Sequence, residues 1–247
     1  MIDVSKKKRI VLKLGTSTLT HKTGKLNIRR MTNLVRILSD LHNEGRELLL
    51  VSSGAVGMGV GKLNLSERPK DTPSKQAAAA VGQCELMHIY DDMFAKYNVT
   101  VAQILLTRAT LTNERLPHVQ NTIGRLLEMG VIPIVNENDT VAIDELELEI
   151  GENDSLSATV AAAVGADLLV ILSDINGLYS ADPRTNADAQ VIREVHKIDE
   201  HIEQMRRFGT GQRRHGDQDQ RRKNCHRGWR GHGHHEWQRP GTAVCAV

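Results

Sequence analysis

The chain has 247 residues, 40% of them hydrophobic and 25% charged, which suits one large domain or two small ones with a sizeable core. It has no run of about 18 apolar residues, so no membrane-spanning helix is expected; Lys13 interrupts any signal-type region after the lysine-rich start, and three cysteines cannot complete a paired framework, which points to a reducing, cytoplasmic setting. The formal charge of +2 hides a split: residues 212–247 hold 8 Lys/Arg against 3 Asp/Glu, whereas residues 1–211 hold 24 against 27.

In chain order, Arg9 to Leu14 reads as a strand closed by Gly15-Thr16-Ser17. Met31, Leu34, Val35, Leu38 and Leu41 form the apolar stripe of a helix over residues 31–42. The apolar run 47–51 predicts a buried parallel strand. It ends in Ser52-Ser53-Gly54-Ala55, followed by a glycine-punctuated stretch through Gly61. An Ala-rich helix starts over residues 74–80 and can run toward Lys96; it carries Cys84 and His88, both read as structural. A strand over 99–106 and a helix within 113–129 follow. The strand 131–135 closes in Asn136-Glu137-Asn138-Asp139, and residues 140–152 suggest a hairpin or excursion. Asp154 is a good N-cap for a helix over 155–164. The strand 167–172 ends at Ser173-Asp174. Alternating strands and helices define an α/β class with a mostly parallel sheet.

The tail differs in kind. Residues 212–242 contain no Ile, Leu, Val, Met or Phe, yet hold both tryptophans and five of the eleven histidines. Such a segment buries too little apolar surface to offset its ordering entropy, so a disordered basic arm is one reading. A zinc site using Cys225, His226, His232, His234 and His235 is another, but the spacing matches no ordinary zinc module. The third is a shifted reading frame. Read from their second base, the codons of His215 to Asp219 permit Met-Ala-Thr-Lys-Ile. Those of Gly228 to Trp237 permit Ala-Gly-Val-Asp-Met-Val-Ile-Met-Asn-Gly, an amphipathic pattern like that of residues 1–211.

Each predicted strand ends in small or polar residues, and ligands of open parallel sheets bind outside the carboxyl ends of the strands. Neither G-x-x-x-x-G-K-[ST] nor G-x-G-x-x-G occurs, so a P-loop or dinucleotide site is unsupported.

The ordered set of strand ends resembles the amino acid kinase family, and within it the branch that phosphorylates the γ-carboxylate of L-glutamate. The matching text is Val11-Leu12-Lys13-Leu14-Gly15-Thr16-Ser17, Val51-Ser52-Ser53-Gly54-Ala55, Ser74-Lys75-Gln76 through Gly82-Gln83, Leu106-Thr107-Arg108, Val135 to Asp139, Gly151-Glu152-Asn153-Asp154-Ser155, and Gly177-Leu178-Tyr179-Ser180-Ala181-Asp182-Pro183-Arg184. The resemblance spans residues 9–211 without a large gap. It implies a three-layer αβα sandwich around a mostly parallel sheet, C-terminally incomplete. The domains implied are an amino acid kinase domain over 1–211 and an aberrant, disordered basic tail over 212–247, with no PUA domain. The family's next motif, G-T-G-G-M-x-T-K, carries a second phosphate-site lysine. Here Gly209-Thr210-Gly211 are present and the text then breaks, where the shifted frame restores Met-Ala-Thr-Lys-Ile. One inserted or deleted base near Gly211 accounts for the composition jump and the lost motif together.

The resemblance assigns Lys13 as a cation at the transferring phosphate and Asp154 as the residue that orients the catalytic lysines. It assigns Ser53, Gly54, Asn136, Asp139 and Asn153 to the amino acid, with Asp139 taking the ammonium. Gly15, Ser173, Asp174, Gly209, Thr210 and Gly211 join Lys13 on the nucleotide side. Each has a plainer structural alternative: a snorkelling strand-end lysine for Lys13, turn capping for Asp139 and Asn153, helix capping for Asp154, and turn punctuation for the glycines, Ser173 and Asp174. The implied ligands are L-glutamate and ATP, with Mg²⁺ bound mainly through the ATP phosphates and no dedicated protein metal site. L-proline is the implied feedback inhibitor and a homo-oligomer the implied assembly, with no membrane or specific nucleic-acid partner. The alternatives are a sibling kinase acting on acetylglutamate, aspartate, carbamate or UMP, and a non-catalytic ligand- or RNA-binding protein. As written, the chain is expected to show little or no kinase activity.

Overall fold

The computed structural model describes residues 6–15, 19–21, 25–112, 114–141, 152–172, 177–181, 185–186, 188–192, 195 and 243–246. Its main unit contains β1 (Arg9–Leu14), α1 (Ile28–Asn43), β2 (Glu47–Ser52), α2 (Ala55–Lys62), α3 (Thr72–Ala95), β3 (Val101–Leu106), a short 3₁₀ turn (Arg108–Leu111), α4 (Leu116–Glu128), β4 (Ile132–Glu137), α5 (Glu152–Ala163) and β5 (Leu168–Leu172). A second unit, residues 176–241, contributes the antiparallel pair β6 (Leu178–Tyr179) and β7 (Val191–Ile192). The last strand, β8 (Ala243–Ala246), returns to the main unit.

The main sheet runs in the order β3-β4-β2-β1-β5-β8, with every pair parallel. All carboxyl ends therefore open on one edge. Strand alternation divides the side chains between two helical layers. Leu12, Leu14, Leu50 and Ile134 face the layer of α1 and α3, packing with Met31, Leu38, Tyr90 and Phe94. Val11, Val51, Val135 and Leu169 face the opposite layer, with Ile123 of α4 and Val160 of α5. This is the αβα sandwich the sequence led one to expect.

Local signals explain the helices. The Asn27 side chain accepts from the Arg30 N–H at 3.2 Å and opens α1; Asp71 does the same for α3 through the Ser74 N–H at 2.9 Å, with Pro73 in the first turn. At the amino edge of the sheet the Asp167 carboxylate accepts from the backbone N–H groups of Arg9 (2.9 Å) and Lys8 (3.0 Å). Those bonds, the Arg9 bond first, hold its pKa below the ordinary carboxylate value.

At three places the structure adds to or differs from the sequence reading. The glycine-punctuated stretch after Gly54 is a helix, α2, because its glycines serve close packing: an added Cβ at Gly59 would lie 1.8 Å from the Ala78 carbonyl oxygen of α3. Helix α5 begins at Glu152, so Asp154 lies inside the first turn and is not its N-cap. An acidic residue in a first turn suits the helix dipole, which lets the helix extend past the predicted start. In the tail, the apolar residues Ala243–Ala246 pair with β5 in the register Leu168↔Ala243 to Ile171↔Ala246. Residues 201–242, and the predicted excursion over 142–151, lie outside the described residues.

Candidate active site

Alternation along β1 puts Lys13 on the same face as Val11, toward α5. The first turn of α5 stands over the carboxyl ends of the sheet. Lys13 Nζ and Asp154 Oδ1 pair there at 2.7 Å. The Lys13 side chain is only 14% exposed and Asp154 49%, so the cation is held from the sheet side and its anion stays open to solvent. The neighbouring Asn153 Nδ2 donates to the Ser52 carbonyl at 3.1 Å and to Ser53 Oγ. Two consecutive residues of α5 thus tie the ends of β1 and β2 together.

Ser53 leads into Gly54, whose φ of +104° is a left-handed conformation that glycine adopts cheaply. The Met58 N–H then donates to the Gly54 carbonyl at 2.9 Å, starting α2. Packing holds that helix start in place. A Cβ on Gly82 of α3 would lie 1.8 Å from the Ala55 carbonyl oxygen.

On the other face of the sheet, Ser52 at the end of β2 and Asn136, the penultimate residue of β4, lie side by side, one step beyond the Val51↔Val135 pairing. Both are buried. Ser52 Oγ lies 2.9 Å from the Tyr90 hydroxyl. Asn136 Nδ2 donates to Gln83 Oε1 at 2.8 Å, and the Glu137 N–H donates to Asn136 Oδ1 at 2.9 Å. Burial pushes the Tyr90 phenol pKa up, against the smaller opposing effect of its Ser52 bond, so the ring stays neutral. Gln83 Nε2 is buried and has no hydrogen-bond partner among the described residues, a situation that costs about 1–3 kcal/mol.

The structure therefore brings Lys13, Ser53, Gly54, Asn136, Asn153 and Asp154 to adjoining strand and helix ends. Asp139 is half-buried in the turn after β4, and Gly15 follows β1 directly. Ser173, Asp174, Gly209, Thr210 and Gly211, the expected nucleotide side, lie outside the described residues. Cys84 and His88 lie on the exposed side of α3. Among the described residues no group of three or more His, Cys, Asp or Glu is placed to hold a metal ion. No described helix is long and apolar enough to cross a membrane.

The family model for the amino acid kinase family matches residues 8–215. The chain belongs to the amino acid kinase family. A glutamate 5-kinase of Clostridium perfringens is 55% identical over 200 residues, covering 80% of this chain and 74% of that protein. A glutamate 5-kinase of Moorella thermoacetica is 53% identical over 205 residues, 83% of this chain and 54% of that protein. Among solved structures, a UMP kinase from Ureaplasma parvum superposes with a TM-score of 0.54 at 15% identity, covering 77% of each chain. That likeness concerns the family fold alone.

Three polar side chains around this site escaped the sequence reading of roles: Ser52, Gln83 and Tyr90. Gln83 and Tyr90 were detectable as two polar residues seven apart on the buried stripe of α3, a spacing that returns to the same helix face.

Proposed function

We propose that the chain is built to transfer the γ-phosphoryl group of ATP to the γ-carboxylate of L-glutamate, giving L-glutamyl 5-phosphate for proline synthesis. The identity of 55% to a named glutamate 5-kinase carries the choice of acceptor; the Lys13–Asp154 pair at the end of β1 supplies the chemistry. A carboxylate oxygen attacks the γ-phosphorus, the bond to the ADP oxygen breaks, and ADP leaves. The acceptor is already ionised at pH 7, so no general base is needed. What the reaction needs is positive charge around the transferring oxygens and an aligned acceptor. Lys13 provides charge, and Asp154 fixes its ammonium from the α5 side. Asp139 takes the substrate ammonium, while Ser53, Asn136 and the backbone around Gly54 serve its carboxylates, with Asn153 holding Ser53 Oγ and the Ser52 carbonyl in place. Gly15, Ser173, Asp174, Gly209, Thr210 and Gly211 serve the nucleotide. Mg²⁺, when bound, neutralises the donor phosphates, held mainly through those phosphates because it dehydrates reluctantly.

Turnover by this chain is impaired in the same reading. The family match ends at residue 215, just past Gly211, where the second lysine motif is lost to a shifted frame. Losing one preorganised cation lowers the rate on the order of 10²–10³. Cytoplasmic location, L-proline feedback and self-association belong to the same proposal.

Two measurements test it. Titration calorimetry should show L-glutamate binding, since the proposed acceptor residues all precede Ser155; absence of binding overturns the acceptor assignment. Hydroxylamine trapping of the acyl phosphate should show far less product than a frame-corrected chain. Equal rates from the two chains overturn the impairment.

A further inference from the structure

Helix α3 turns a mostly apolar stripe toward the sheet, with Leu86 and Phe94 fully buried. Two members of that stripe end in polar atoms, Gln83 and Tyr90. Seven residues apart, they lie on nearly the same helix face, about 10 Å apart along its axis. Each meets the last buried residue of a different strand: Tyr90 meets Ser52 of β2, and Gln83 meets Asn136 of β4. Those strands are neighbours in the sheet. The bonds continue toward the site. The carbonyl of Ser52 accepts from Asn153, and Asn136 Oδ1 accepts from the Glu137 N–H.

We propose that Gln83 and Tyr90 are positioning residues of the acceptor site, setting the Ser52–Ser53 turn and the Asn136 amide from beneath the sheet edge. The proposal rests on the glutamate reading given above. Packing alone does not account for the pair. Gln83 keeps a buried, unsatisfied Nε2 among the described residues; a methionine of similar shape would fill the same space and remove that cost, but would leave the buried Asn136 Nδ2 without the partner that orients it. What the amide adds is a fixed orientation for Asn136, whose Nδ2 points at Gln83 and whose Oδ1 faces the following backbone N–H. Tyr90 likewise adds only a hydroxyl to what phenylalanine would bury.

The test uses the full chain and its Tyr90→Phe and Gln83→Met variants. Both should unfold within a few degrees of the unsubstituted chain. Each should raise the L-glutamate Kd in calorimetry by about tenfold, the size of one lost hydrogen bond. Amide exchange read by NMR should quicken at Ser53 and Gly54 in the first variant and at Glu137 in the second, with the amides of α1 unchanged. A Kd within twofold of the original together with unchanged local exchange overturns the proposal. So does a fall in melting temperature with exchange quickened evenly across the chain, which marks a structural role only. If the unsubstituted chain binds no glutamate, the acceptor reading falls, and the local exchange pattern still decides whether these side chains position the strand ends.

Discussion

Replacing Gly82 by alanine should damage both stability and acceptor binding. An ideal Cβ there lies 1.8 Å from the Ala55 carbonyl oxygen, 2.4 Å from the Gly59 nitrogen and 2.8 Å from the Ala55 carbonyl carbon. All three are backbone atoms of α2, so no side-chain rotation relieves the clash. Carbon contacts are comfortable at about 3.5–4 Å, so the two helices must part by roughly 1.5 Å. Overpacking of this kind costs about 1–3 kcal/mol, and the backbone partners put Gly82 at the upper end. The gain in helix propensity returns about 0.5–1 kcal/mol. The net loss is then about 2 kcal/mol, or roughly 4–8 °C in melting temperature at 2–4 °C per kcal/mol for a chain of this size. Ala55 directly follows Gly54, so the shift also moves the Ser53–Gly54 turn, and the L-glutamate Kd should rise more than tenfold. Gly124 in α4 is the control: a Cβ there meets nothing within 4 Å. Gly124→Ala should therefore stabilise by about 0.5–1 kcal/mol. Differential scanning calorimetry and glutamate titration of both variants decide the matter. A Gly82→Ala chain that melts at or above the original, with unchanged glutamate affinity, refutes the close-packing reasoning.

Removing one base near Gly211, which brings the second-base frame back into register, should raise hydroxamate formation on the order of 10²–10³, measured side by side with the present chain. In that corrected chain, Lys13→Met should lower kcat by a similar factor. It should leave the melting temperature within about 4 °C, because the Asp154 end of the pair is half-exposed and such pairs contribute only about 0–1 kcal/mol. Asp167 makes a pH prediction. Its folded pKa is depressed, so its contribution to stability is present above the unfolded carboxylate pKa of about 3.9 and is lost as pH falls through the lower folded value. Denaturant titrations from pH 7 downward should show Asp167→Asn already less stable at neutral pH and the gap closing in acid; a gap that stays constant removes Asp167 as the cause.

The sequence by itself determined the class of fold and the first five strands of the sheet. Short apolar runs such as Leu48 to Val51 and Ile132 to Val135, bounded by polar and turn residues, fit strands buried on both faces. It also shows an abrupt change of composition after Gly211, since composition needs no coordinates. Lys13, Ser53, Gly54, Asn136, Asn153 and Asp154 all lie in the motif text that resembles the family. Only the tertiary structure decided what these residues touch. Local sequence offers Asp154 only the role of a helix cap; orienting the catalytic lysines is what the family resemblance implies, and the contact with Lys13 at 2.7 Å is seen in the structure. Its partner Lys13 lies far away in the chain and meets it only because β1 alternation and α5 packing face each other. The glycine-punctuated stretch of α2 carries no clear helix signal in the sequence, which does not show that α3 presses on Gly59. Gln83 and Tyr90 read as ordinary members of an Ala-rich helix, since a side chain's hydrogen-bond partner across a sheet is a property of register and crossing geometry, which periodicity along one element does not encode.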